Sequence, residues 1–307
     1  MSQSKHNPKR KNASTAAPAA TAPHLTELVF IIDRSGSMGG LESDTIGGYN
    51  ATLQRHRQLD GECTVSTVLF DNEAEVICDR LPIAQVRPMT AADYQVRGCT
   101  ALLDALGGSM RHISRVQRYM PQGHKAEQVI FVVITDGMEN ASSRYTYAQV
   151  RAAVEKHRAE GWEFLFLGAN IDAVAEAGAL GIPEERAATY LADHIGQATA
   201  YDAIADASCM MRSCEPRGIG REWKRRVEED TRARHLLQAA YAECASRGRH
   251  PSRRGYFTRT VTSTLLVAFP QVTFTLAMYS LPFFRPFLAV TLPFLLTVMY
   301  LEPDTLL

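Results

Sequence analysis

Residues Gln128–Thr135 read Gln-Val-Ile-Phe-Val-Val-Ile-Thr, an apolar and largely β-branched run without a polar break. A strand with one wet face alternates apolar and polar side chains, so an unbroken run fits a strand covered on both faces. Leu25–Asp33 and Trp162–Leu167 read the same way. Helical spacing fills the intervals. Gly48 to Arg57 predicts a helix, and Thr100 to Met120 sets Leu102, Leu103, Leu106, Met110, Ile113 and Val116 on one side. Tyr147–Ala159 and Ala173–Leu180 predict two more. Cys63–Phe70 and Ala74–Leu81 flank Asp71-Asn72-Glu73 as a hairpin, and Ala187–Leu191 is a last short strand. Strands alternating with helices imply an α/β class: a doubly wound, mainly parallel sheet with one antiparallel hairpin strand and helices on both faces.

Charge divides the 307-residue chain further. Residues 1–24 carry four Lys/Arg, no acid, and much Ala, Ser, Thr and Pro, and read as a disordered basic arm without the apolar core of a signal peptide. Residues 25–214 hold 16 basic and 25 acidic side chains, a net of −9. Residues 215–258 form a basic extension with a charged helix over roughly Arg221 to Ser246, whose partial apolar face includes Trp223, Val227, Leu236 and Leu237. Its acids interrupt the basic run, so no nucleic-acid partner is expected. Residues 259–307 form an apolar tail. Val261 to Phe284 has no charge and the length of a membrane helix, but Pro270, Pro282, Pro286 and Pro293 oppose that conformation. Three readings of the tail stand: a membrane tether through 261–301, a segment translated out of frame, or, ranked behind both, a soluble packed tail. The six cysteines show no Cys-x-x-Cys pair or zinc spacing, which fits a reducing cytoplasm.

The chemistry concentrates where the strands end. Asp33-Arg34-Ser35-Gly36-Ser37 follows the first buried run and places three oxygen-bearing side chains at alternate positions. Asp136 ends Gln128–Thr135 and is followed by Gly137. Thr100 precedes the long amphipathic helix. In an open parallel sheet, ligands bind beyond the carboxyl ends of the strands, where strand order reverses. Asp33, Ser35, Ser37, Thr100 and Asp136 then converge. Carboxylate and hydroxyl oxygens suit a hard cation, Mg²⁺ or Mn²⁺. Taken singly, Thr100 also reads as a helix N-cap, Asp136-Gly137 as a plain turn, and Glu139 and Asn140 either as rim of the site or, the favoured reading, as solvated surface.

The order and strand context of these five residues resemble the metal-ion-dependent adhesion site of the von Willebrand factor type A family. The resemblance covers about Leu25 to Arg212, and FDNEAEV, DYQVRGCTALLDALG, TDGMENAS and GWEFLFLGANIDAVAEAG look like a bacterial cytoplasmic subgroup. It implies a metal-dependent protein-binding module without catalysis. The serines and Thr100 would contact the ion, Asp33 and Asp136 would act directly or through water, and a partner's Asp or Glu carboxylate would complete the site. Two alternatives remain at this stage: a metal-assisted hydrolase using the same oxygens, and a membrane-tethered scaffold. Against the hydrolase, the chain has no His-Glu-x-x-His, Gly-x-Ser-x-Gly or phosphate-loop motif.

Overall fold

The computed structural model describes residues 25–121, 123–213 and 219–246, with 273–275, 288–292 and 295–299. The basic arm at 1–24 and most of the apolar tail lie outside the described residues.

Six strands form the main sheet: β1 (Thr26–Asp33), β2 (Cys63–Phe70), β3 (Ala74–Pro82), β4 (Gln128–Thr135), β5 (Glu163–Ala169) and β6 (Ala187–Tyr190). Their spatial order is β3-β2-β1-β4-β5-β6. All neighbours are parallel except β2 and β3, which form the expected hairpin. The order reverses between β1 and β4, so these two strands border the switch point. Register aligns their ends: Ile32 pairs with Ile134, Asp33 pairs with Phe70, and Thr135 pairs with Gly168.

The unbroken apolar runs have the predicted cause. On β1, Leu28, Phe30 and Ile32 enter one core, while Val29 and Ile31 enter the other. The first core receives Tyr49 and Leu53 of α1 (Glu42–Arg57) and Tyr201 and Ile204 of α5 (His194–Ser213). The second receives Leu102, Leu106 and Met110 of α2 (Leu102–Tyr119), Val150 and Val154 of α3 (Tyr147–Ala159), and Ala173 and Ala177 of α4 (Ala173–Ala179).

Two helices differ from the sequence-based expectation. Helix α1 begins at Glu42 rather than Gly48. Gly48 lies inside it because α5 crosses there: a Cβ on Gly48 would come within 2.3 Å of the Tyr201 ring. Helix α5 itself is absent from the sequence reading. Its buried side mixes Tyr201, Ile204 and Met211 with Ala200, Ala203, Ala207 and the polar Gln197 and Ser208, so its few large apolar residues are diluted by small and polar ones.

Helix α6 (Arg225–Ser246) lies along β6, and Trp223 and Val227 enter the first core. Lys224 is 2% exposed, and its Nζ donates to the carbonyls of Glu184 and Ala187 at 2.8 and 3.0 Å. Thr231 Oγ1 donates to Thr189 O at 3.1 Å. These side chains occupy carbonyls at the sheet's edge, which is a standard defence against strand pairing with other chains. In the tail, Thr273–Thr275, Leu288–Leu292 and Leu295–Met299 are strands (β7 to β9) paired antiparallel in a separate sheet. Among the described residues, no helix is long and apolar enough to cross a membrane.

His56 on α1 is wholly buried, with Nε2 2.8 Å from Ser208 Oγ on α5. Burial, together with the charges of Arg212 and Arg55, pushes its pKa from 6.5 down to about 3. The unfolded chain therefore binds more protons across that window. Stability is intact above pH 6.5 and falls as pH drops toward 3, by about 1.4 kcal/mol per pH unit for one proton. Urea denaturation of wild type and His56→Gln across this range is expected to show that component of the slope only in wild type. Equal slopes in both would refute it.

Candidate metal centre

Asp33 closes β1 with its carboxylate fully buried. Oδ1 accepts the Ser35 backbone N–H at 2.7 Å, which folds the chain back immediately after the strand. Oδ2 accepts Thr135 Oγ1 from the end of β4 at 2.6 Å. Tyr94 donates its hydroxyl to the Asp33 carbonyl at 2.5 Å. Ser35 Oγ lies 3.0 Å from Ser37 Oγ, and Ser37 Oγ donates to Asp136 Oδ1 at 2.5 Å. Thr100 enters from the loop before α2. A Cβ on Gly137 would lie 3.1 Å from Thr100 Oγ1 and 3.3 Å from Ser37 Oγ, so both hydroxyls converge on the residue after Asp136. The structure thus brings Asp33, Ser35, Ser37, Thr100 and Asp136 together.

Three loops meet here, and residues that the sequence reading passed over hold them. Arg34, at the second position of Asp-x-Ser-x-Ser, is 4% exposed, and its Nε donates to Asp71 Oδ2 at 2.8 Å. Arg97 Nε donates to the same oxygen at 2.7 Å. Backbone bonds tie the same loops: Arg34 N to Phe70 O, Arg97 N to Arg34 O, Gly36 N to Gly98 O and Ala101 N to Asp71 O. Gly98 has φ +71°, and a Cβ there would sit 2.1 Å from Asn72 Oδ1, the atom that accepts Cys99 N–H. Asp71-Asn72-Glu73 is therefore more than a hairpin turn.

Thr100 is not the N-cap of α2. That position falls to Ala101, which makes no side-chain capping bond. The orphan N–H groups of the helix are instead met from the loop after β4. Glu139 Oε2 accepts Leu103 N–H at 2.9 Å, and Ser142 Oγ accepts Asp104 N–H at 3.0 Å. Asn140 Oδ1 accepts Thr100 N–H at 2.9 Å, and Asn140 N–H returns a bond to Thr100 O at 3.0 Å. Glu139 is half-buried with partners in the fold, and Asn140, though exposed as expected, is paired with Thr100. No spacing rule could have paired them with residues some 40 positions earlier.

Electrostatics set the two carboxylates apart from their neighbour Asp71. Burial pushes Asp33 above the usual range, against hydrogen bonds from Thr135 and Ser35. Burial also pushes Asp136 up to about 6; the Ser37 bond opposes this and the charge of Asp33 adds to it. Neither forms an ion pair among the described residues, and Asp136 Oδ2 is buried with no hydrogen-bond partner. Asp71 shows the contrast. Burial pushes it up, but bonds from Arg97, the Glu73 backbone and Arg34, with the Arg34 charge, hold it below the usual range. A cation among Asp33, Asp136 and the hydroxyls would supply what Arg34 and Arg97 supply to Asp71, so the residues fit a hard divalent ion. Among the described residues, no cluster of three or more His, Cys, Asp or Glu is placed to hold a metal, so a softer N/S site has no counterpart here.

Asp71→Asn leaves the Arg34 guanidinium buried with only the half-exposed Glu75 as an ionic partner. The expected cost is about 3 kcal/mol, the low end for a broken buried pair. Arg97 is 59% exposed, and Arg97→Ala is expected to cost under about 1 kcal/mol. Urea denaturation of both variants checks the order; an equal cost would show that Arg34 does not depend on Asp71.

No protein-family profile and no curated protein matches the chain. Solved structures do. Proximal thread matrix protein 1 of the mussel byssus, with a zinc-occupied MIDAS motif, is 16% identical with a TM-score of 0.43, over 61% of this chain and 46% of that one. A von Willebrand factor type A protein from Catenulispora acidiphila is 16% identical with a TM-score of 0.42, over 60% and 42%. Manganese-loaded Plasmodium vivax TRAP is 15% identical with a TM-score of 0.39, over 56% and 70%. The chain thus spans less than half the length of the first two. With its sheet order β3-β2-β1-β4-β5-β6 and three oxygen-bearing loops at the switch point, the chain is a doubly wound, mainly parallel α/β fold.

Proposed function

We propose that the chain is a protein-interaction module that holds Mg²⁺ or Mn²⁺ through Asp33, Ser35, Ser37, Thr100 and Asp136 and recognises an Asp or Glu carboxylate of a partner protein. One observation carries this reading: Asp136 Oδ2 is buried and unpartnered, while its other oxygen meets Ser37, an exposed residue. The unpartnered carboxylate oxygen and the exposed residue bound to its twin lie together at the carboxyl end of the sheet. When bound, the ion supplies a Lewis-acidic centre for the incoming carboxylate. The chain's own part is positional. Asp33 stays inside, fixed by Ser35 N–H and Thr135, and Ser35 and Ser37 face each other across 3.0 Å. Hydroxyls add no charge, so the ion keeps its attraction for an outside anion.

The hydrolase alternative finds less support. Ser35 and Ser37 contact each other and Ser37 contacts Asp136, and among the described residues no histidine or lysine bonds to either hydroxyl. The His56–Ser208 pair is fully buried, and His56 Nδ1 has no hydrogen-bond partner. Such a pair has no orienting acid and no route for substrate. Cys63, Cys78, Cys99 and Cys209 are free thiols, in keeping with the cytoplasmic location we propose.

Calorimetric titration with Mg²⁺ tests the site. Asp136→Ala and Asp33→Ala are each expected to weaken binding at least about tenfold. Unchanged affinity in both variants would reject the metal assignment. Capture of proteins from a lysate in Mg²⁺, repeated in EDTA and with Asp136→Ala, tests the interaction, since true partners are lost in both controls.

A further inference from the structure

We propose that Asn140 is a positioning residue for this centre: it sets where Thr100 presents its hydroxyl relative to Asp136, without itself contacting the ion. This rests on the metal reading above. Asn140 engages Thr100 from both sides of the backbone, since its Oδ1 accepts Thr100 N–H and its own N–H donates to Thr100 O. Asp136 stands four residues earlier in the same loop. The two-way bridge therefore joins donors from separate loops, Thr100 and Asp136, into one frame. Thr100 makes no capping bond that would fix it otherwise, because Ala101 takes the cap position.

The tolerance is small. At Gly137 the space between Thr100 Oγ1 and Ser37 Oγ would not accept a methyl group without a shift, as the 3.1 and 3.3 Å approaches show. A small turn of Thr100 moves its oxygen out of the cluster. The remaining bonds between these loops do not depend on Asn140. Glu139 and Ser142 hold the start of α2, and the Asp104 carboxylate accepts the N–H groups of Ser143, Arg144 and Tyr145. Removing the Asn140 side chain should thus take away the acceptor of Thr100 N–H, while the backbone bond from residue 140 to Thr100 O remains and α2 stays docked, which separates positioning from folding.

Mn²⁺ binding to the full chain, followed by electron paramagnetic resonance, provides the test in wild type, Asn140→Ala, Thr100→Ala and the double variant. Asn140→Ala is expected to weaken Mn²⁺ affinity about tenfold, the usual effect of losing an outer-sphere partner. In the Thr100→Ala background the same change is expected to cost under about twofold, because its route runs through Thr100. Asn140→Asp keeps the acceptor oxygen and is expected to restore most of the affinity. Asn140→Ala binding within about twofold of wild type, or a second tenfold loss in the double variant, would overturn the proposal. A wild type that binds no Mn²⁺ would instead reject the metal reading itself.

Discussion

The buried contact between Arg34 and Asp71 organises the carboxyl end of this sheet. Arg34 follows directly on Asp33, and a guanidinium only 4% exposed needs a carboxylate within reach. Asp71 supplies it from the turn after β2, and Arg97 bonds the same oxygen from the loop that leads to Thr100. One ion cluster therefore fixes three segments: the turn after β1, the hairpin, and the approach to α2. The backbone bonds Arg97 N to Arg34 O and Ala101 N to Asp71 O follow from that closure. With those backbone bonds it holds the loops that carry Ser35, Ser37 and Thr100 in one frame.

The loop after β4 completes the enclosure from the other side. Its bonds to Thr100, Leu103 and Asp104 come from Asn140, Glu139 and Ser142. In return, the Asp104 carboxylate collects three N–H groups from residues 143–145. Burial pushes that carboxylate up, but those N–H bonds hold it below the usual range. Side-chain oxygens from each segment thus satisfy backbone donors of the other, where an open helix end would have needed water. Rigid loops matter for a hard ion, since small cations demand near-ideal donor placement.

Much of this was legible in the sequence, and the boundary of legibility has a physical cause. Parallel strands covered on both faces leave unbroken apolar runs, so β1, β4 and β5 stood out. Side chains at strand ends are fixed by strand order alone, so Asp33 and Asp136 could be placed in neighbouring positions before any coordinates. Helix α5 was not legible, because its large buried residues Tyr201, Ile204 and Met211 are separated by small and polar ones such as Ala203, Ala207 and Ser208. Asp71, Arg97, Glu139 and Asn140 were not legible for a different reason. Their roles depend on partners from other loops, and a polar residue in a loop looks the same in sequence whether it meets solvent or a helix terminus.

The acidic balance of residues 25–214 does not oppose an acidic partner. Exposed charges more than about 8 Å away are screened at physiological salt, so net charge acts weakly on a docking carboxylate. What acts at contact is the local set. In the proposed site, two carboxylates would offset the charge of one divalent ion and three hydroxyls would add none, while the partly exposed Arg97 stands on the approach to Thr100, in the same ion cluster as Arg34. Asp71 and the half-exposed Glu75 are the acids paired with those arginines. Replacing Ser35 or Ser37 by a carboxylate would tighten the hold on the ion and at the same time lower its attraction for the partner. A donor set rich in hydroxyls trades ion affinity for strength toward an incoming anion, which is the balance that ligand recognition through a metal requires.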